Sequence, residues 1–195
     1  MMTGDEMSDK TPDPASGGLL AGSGCVLVII DIQEKLLPVM SAKEDVLENS
    51  AKLVRFAGII GLPVLVTEQG KLGPTMSDLT GDIDNFAPIL KLDFDACAVP
   101  EFVEALGRTG GRTVLLAGIE SHVCVMQTAL SLLARGYKVH VVSDAVSSRT
   151  PENRDVALGR MRDAGAVISS AEMAIFELLK RAGTDEFKET LKIVK

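Results

Sequence analysis

Cys25-Val26-Leu27-Val28-Ile29-Ile30-Asp31 decides the fold of this 195-residue chain. An unbroken aliphatic run closes on a carboxylate. A strand with one face in water alternates apolar and polar residues. A run that is apolar at every position is buried on both faces, which is the pattern of a parallel sheet covered by helices on each side. Thr113–Ala117 repeats it with Val114, Leu115, Leu116 and Ala117. Pro63–Thr67, Lys138–Ser143 and Ala166–Ser169 are further strand candidates, and Pro88-Ile89-Leu90 is a short extended run.

Amphipathic stretches lie between them. Lys43–Ile60 places Val46, Leu47, Leu53, Val54, Ala57 and Ile60 close to a 3.6-residue period. Pro100 to about Gly110 forms a shorter helix, and Val123–Arg135 another that Gly136 stops. Thr150 as N-cap with Pro151 behind it opens the next. Ser169 and Glu172 have capping-box spacing before a helix over Ala171–Ala182, and a last helix follows Thr184. The alternation predicts an α/β protein, a three-layer α/β/α (Rossmann-like) fold with a central parallel sheet of about six strands. Residues 1–23, rich in Gly, Pro, Ser, Thr and Asp, read as a disordered N-terminal tail, with residues 24–195 as one domain.

Composition narrows the function. Hydrophobic residues make up 46% and charged residues 24%, as in ordinary globular proteins. The net charge of −7, with one Tyr and no Trp, excludes a nucleic-acid binder built on a basic patch and stacking aromatics. No apolar run reaches the roughly 18 residues of a membrane span. Cys25, Cys97 and Cys124 form no CxxC pair and no disulfide framework, which points to the cytoplasm. Asp5, Glu6 and Asp9 fall where a signal peptide would be basic.

In covered parallel sheets the chemistry lies beyond the carboxyl ends of the strands. Asp31 stands at one such end, as a solvated strand-end acid, a helix cap, a metal ligand, a base or a ribose-binding acid. Cys124 follows the turn Gly118-Ile119-Glu120-Ser121 near a helix start, where the helix dipole and free N–H groups favour a thiolate; the alternative is a small buried hydrophobe. Cys25 reads as core. Lys91 by itself reads as a surface lysine. His140 sits inside a strand, and His122 is two residues from Cys124, a spacing that does not share a helix face. No glycine-rich phosphate loop occurs.

Three elements in this order resemble the isochorismatase-like cysteine hydrolases: a buried strand ending in Asp31-Ile32-Gln33, then Lys91-Leu92-Asp93-Phe94, then Gly118-Ile119-Glu120-Ser121-His122-Val123-Cys124-Val125. With Thr67-Glu68-Gln69 the pattern is similar to the isochorismatase domain-containing proteins. The resemblance implies a triad of Asp31 as base, Lys91 as the cation that poises it, and Cys124 as nucleophile. It implies a cis peptide at Ile119–Glu120 and an oxyanion hole from the backbone N–H groups of Glu120 and Cys124. Gln33, Leu36, Gln69 and Phe94 become candidate substrate contacts, with Leu36 where the family usually supplies a wall aromatic.

Nicotinamidases of this family carry a histidine-containing metal cluster after the second strand. Glu68-Gln69-Gly70-Lys71-Leu72-Gly73 has no histidine, so no metal and no cofactor are expected. Isochorismatases proper cleave a vinyl ether without the cysteine. Cys124 therefore favours hydrolysis of a C–N bond in a small amide or carbamoyl compound through a thioester. The alternatives are a catalytically idle member that binds a metabolite or partner protein, and a redox-sensing thiol protein. The expected partners are a small-molecule substrate and further copies of the chain in a homo-oligomer, with neither nucleic acid nor membrane.

Overall fold

The computed structural model describes residues 19–194. Six strands form one sheet: β1 (Cys25–Ile30), β2 (Val64–Gln69), β3 (Ile89–Lys91), β4 (Thr113–Ile119), β5 (Lys138–Ser147) and β6 (Val167–Ser169). Their order is β3-β2-β1-β4-β5-β6. Every pairing is parallel, with Leu27 opposite Val64 and Leu115 on its two sides. The helices are α1 (Lys43–Ile60), α2 (Ser77–Thr80), α3 (Pro100–Arg108), α4 (Met126–Ala134), α5 (Pro151–Asp163), α6 (Ala171–Leu179) and α7 (Asp185–Val194).

The fully apolar first strand divides its side chains between two cores. Leu27 and Ile29 join Leu53, Val54, Phe56 and Ala57 of α1 and Ala174, Ile175 and Leu178 of α6. Val26, Val28 and Ile30 join Phe102 and Leu106 of α3, Ala129 and Leu132 of α4, and Met161 of α5. The expected three layers are therefore present. Burying a side chain of this size contributes roughly 1.5–3 kcal/mol, so the central strand anchors both halves.

Three strands run past their expected ends: β2 to Gln69, β4 to Ile119 and β5 to Ser147. The apolar pattern marks only the part covered by helices, whereas the parallel pairing carries the polar ends further. Gly118 pairs with Ile30 and has φ of 131°; a Cβ there would run into the Ile30 backbone. Glycine is thus required where β4 passes the end of β1.

Two helix boundaries also move. Ser170, not Ser169, caps α6, accepting from the Met173 N–H at 3.2 Å, because Ser169 is still paired in β6. That helix ends at Leu179 rather than Ala182, since Lys180 turns to φ of 63°. Residues 1–18 of the expected tail lie outside the described residues. Its last part is not a tail. Leu20 is buried against the α1/α6 core and donates its N–H to Glu177 Oε2 at 2.9 Å. Two leucines in a Gly-rich stretch are a weak signal, but one of them finds an apolar groove. Among the described residues no helix is long and apolar enough to cross a membrane.

Candidate active site

The sheet order reverses between β1 and β4, and both strands end there. Asp31 follows β1 with φ of 52°, a conformation uncommon for residues other than glycine but tolerated by Asp and Asn, and its N–H donates to Thr67 O at 3.2 Å. This turn out of the strand carries the carboxylate to the crevice where ligands of such sheets bind.

Lys91 ends β3, the edge strand, yet its side chain and that of Asp31 are both 0% exposed. Lys91 Nζ lies 2.6 Å from Asp31 Oδ2. It donates to Gln69 Oε1 at 2.8 Å and to Asp93 O at 3.2 Å. Thr67 Oγ1 donates to Asp31 Oδ1 at 2.7 Å. Asp31 Oδ2 has no hydrogen-bond partner besides the ion pair, which leaves a lone pair free to accept a proton.

Cys124 comes from the other side of the switch point. Beyond β4, Ser121–Val125 forms a π-helical turn closed by Val125 N–H on Glu120 O at 3.2 Å, and α4 continues from it. The Ile119–Glu120 peptide is cis. The Asp31 carboxylate and the Lys91 ammonium are both close enough to the Cys124 thiol to shift its hold on its proton. The structure thus brings Asp31, Lys91 and Cys124 together.

One expectation is corrected. The thiolate argued from the helix start is not the resting form. Burial, and then the Asp31 charge, push the Cys124 thiol up to about 12; Lys91 pulls it down but does not prevail. Cys124 is only 5% exposed, and desolvation is the first cause of its raised state.

The candidate substrate contacts divide. Gln33 is buried and its amide is spent on backbone: Nε2 donates to Gln69 O at 3.0 Å and Gly73 O at 2.6 Å, and Oε1 accepts from Gln69 N at 2.8 Å. Gln69 holds Lys91 with its oxygen and donates Nε2 to Leu92 O at 2.8 Å. Leu36 packs on the α1 side of the core, and Phe94 is 52% exposed. A cleft of about 470 Å³ reaches Lys91, lined also by Gln33, Glu68, Gln69, Lys71 and Leu90.

Sequence reasoning gives Thr67 no role beyond its place in Thr67-Glu68-Gln69, because a threonine at the end of an apolar strand shows no partner until the neighbouring strand is known. It also missed the Glu120 carboxylate, which accepts from Arg149 Nε at 3.0 Å. His122 Nδ1 is 2.9 Å from Ser148 Oγ, so it pairs away from the thiol. Cys25 lies within β1 as expected, and Cys97, unassigned from sequence, is buried in a short turn capped by Asp95. Among the described residues no three His, Cys, Asp or Glu side chains gather as a metal ion requires. Glu68, the nearest further carboxylate on β2, is committed to Thr75 N and Oγ1 at 2.7 and 2.8 Å.

A family model described as Isochorismatase domain matches residues 25–173, which include all three side chains of the cluster. The chain is 42% identical over 186 residues to the secreted isochorismatase effector Isc1 of Phytophthora sojae (strain P6497), covering 91% of this chain and 88% of that one. It is 39% identical over 184 residues to isochorismatase domain-containing protein 2A of Mus musculus, covering 93% and 87%. Its fold is similar to that of the MAR1 ribonuclease of Caenorhabditis elegans, with a TM-score of 0.84 at 35% identity over 90% of this chain and 92% of that one. From its first buried strand to the helix beyond its sixth, the chain belongs to the isochorismatase family, a family of hydrolase type.

Proposed function

We propose that the protein hydrolyses a C–N bond of a small amide or carbamoyl substrate through a thioester on Cys124. The observation that carries this reading is the buried Asp31–Lys91 ion pair set against the Cys124 thiol. A charge pair removed from water is costly to maintain for stability alone, and buried groups that bias one another's protonation are what nucleophilic catalysis uses.

The resting thiol is protonated. As sulfur attacks the substrate carbonyl, Asp31 Oδ2 takes the thiol proton, so free thiolate does not accumulate. The carbonyl oxygen becomes an oxyanion, held by the backbone N–H groups of Glu120 and Cys124. Asp31 then returns the proton to the departing nitrogen as the C–N bond breaks, which leaves the acyl thioester. Water attacks the thioester, giving one proton to Asp31, and the sulfur leaves and recovers it. Amide and water become acid and amine. The neighbouring Lys91 ammonium stabilises Asp31 in its anionic intervals.

An idle binding protein would have no use for a base and a cation turned on the thiol, so the geometry favours the enzyme. The nematode neighbour is described as a ribonuclease; the net charge of −7 favours a small molecule over a polynucleotide for this chain. Leu90, Leu92 and Phe94, at 71%, 77% and 52% exposed, flank Lys91 on the sheet edge and support a homo-oligomer whose partner covers them. Three free cysteines support a cytoplasmic location, although the Phytophthora relative is described as secreted; cell fractionation distinguishes the two.

The deciding experiment is intact-mass spectrometry after brief incubation with a panel of small amides and carbamoyl compounds. The expected result is an acyl adduct that maps to Cys124 and decays by hydrolysis. Turnover of a panel compound by Cys124→Ala at the wild-type rate would overturn the thioester route.

A further inference from the structure

We propose that Gln69 is a positioning residue: its side-chain oxygen fixes the Lys91 ammonium against Asp31 and Cys124. The inference rests on the triad reading above and gives Gln69 a different place in it from the one its sequence position suggests.

An ammonium has three N–H donors and no acceptor. Lys91 Nζ has three oxygens around it: Asp31 Oδ2 at 2.6 Å, Gln69 Oε1 at 2.8 Å and Asp93 O at 3.2 Å. Two donors are hydrogen-bonded and the remaining side of the ammonium faces the Asp31 carboxylate, so Lys91 acts as a fixed charge. Of the three acceptors, the Asp93 carbonyl is set by the chain that follows β3, and Asp31 is the group being poised. Gln69 is the remaining acceptor, and it is neutral.

Gln69 is itself tightly held. Its Nε2 donates to Leu92 O at 2.8 Å, which fixes which amide atom faces Lys91. Its backbone N–H donates to Gln33 Oε1 at 2.8 Å, and its carbonyl accepts from Gln33 Nε2 at 3.0 Å. Gln33 leaves β1 two residues after Asp31. The ends of β1, β2 and β3 are thereby joined by side-chain amides at the level of the ion pair. The Gln33 amide is committed within the protein, and the Gln69 oxygen is committed to Lys91.

Neutrality of the third acceptor matters. The titratable groups facing Lys91 are Asp31 from β1 and the Cys124 thiol from the π-helical turn. Glu68 on β2 is turned to Thr75, and the Asp93 contact is its backbone carbonyl. A carboxylate at position 69 would share the ammonium with Asp31 and set a further anion beside the thiol. Both changes disfavour loss of the thiol proton.

The test reads Cys124 directly and needs no substrate. Alkylation by iodoacetamide is followed by mass spectrometry between pH 7 and 9, with Cys97 as internal control. Well below its pKa a thiol reacts in proportion to its thiolate fraction, so a tenfold smaller fraction gives a tenfold slower reaction. In Gln69→Glu, Cys124 is expected to alkylate about tenfold more slowly than in wild type, while Cys97 is unchanged. Gln69→Leu, which removes the acceptor without adding charge, is expected to slow Cys124 by about threefold or more. Variants are compared only where thermal melting shows a folded protein, and Gln69→Met replaces any that fails. Wild-type Cys124 rates in the folded Glu and Leu (or Met) variants would overturn the proposal. So would equal slowing of Cys97, since that marks general loosening. Slowed alkylation in a protein that acylates with none of the amide panel would leave the positioning role standing and defeat the hydrolase reading.

Discussion

Asp31 bears three constraints at once. Its backbone sits at φ of 52°, its Oδ1 accepts from Thr67, and its Oδ2 faces Lys91 where both side chains are fully buried. Asn is nearly isosteric and tolerates the same φ, so Asp31→Asn isolates the charge. That substitution strands a buried ammonium, which costs about 3–5 kcal/mol. It also removes the acceptor for the thiol proton, and loss of a general base costs about 10²–10⁴-fold in rate. The double variant Asp31→Asn/Lys91→Met has no buried charge to strand. It is expected to recover most of the stability and none of the acylation. Urea unfolding and intact-mass spectrometry on the single and double variants separate the two effects. A double variant no more stable than the single one would mean that Lys91 is not the source of the cost. The protonation state of Cys124 was not legible in the sequence at this scale. A cysteine near a helix start suggests a low pKa, but burial and the Asp31 charge arise from residues distant in sequence and act in the opposite direction.

At the level of strands and helices, the apolar runs revealed their own centres and concealed their ends. Glu68 and Gln69 fall beyond the apolar run because they are polar, yet they pair with Leu90 and Lys91. That hidden continuation places Gln69 and Lys91 side by side, so the ion pair was legible as two separated letters and not as a geometry. Glycines show the same division between what is local and what is not. Gly58 lies on the exposed side of α1 with open space where a methyl group would stand, whereas Gly118 lies against Ile30 at φ of 131°. Gly58→Ala is expected to stabilise the protein by about 0.5–1 kcal/mol through helix propensity. Gly118→Ala is expected to cost at least about 3 kcal/mol, since both the clash and the backbone conformation oppose it. Thermal unfolding of the two variants checks the pair. Similar effects from both would mean that β4 does not pass β1 as closely as described.

Across the whole molecule, the three cysteines share one property despite their different elements. Burial is the first cause in each: Cys25 in β1 is raised to about 11, Cys97 in the turn before α3 to about 12, and Cys124 to about 12. An unfolded thiol releases its proton near 9.0, so between pH 9 and these values the folded state holds protons that the unfolded state has lost. Stability is then fully present below pH 9 and falls as pH rises toward 11 to 12, by up to about 1.4 kcal/mol per pH unit for each thiol. Tyrosine and lysine titrate in the same range, so the total slope is a mixture, but the share of one thiol can be isolated. Cys97 is the thiol to remove, because it lies outside the site and its raised state comes from burial and then from Asp95. Cys97→Ala loses some packing at every pH, which lowers the whole curve without tilting it. Its stability is expected to decline less steeply than wild type between pH 9 and 10.5, by up to about 1.4 kcal/mol per pH unit. Urea unfolding midpoints at pH 8, 9, 10 and 10.5 measure both curves. Parallel declines would mean that the Cys97 thiol titrates alike in the folded and unfolded chain, and that its burial has no bearing on alkaline stability.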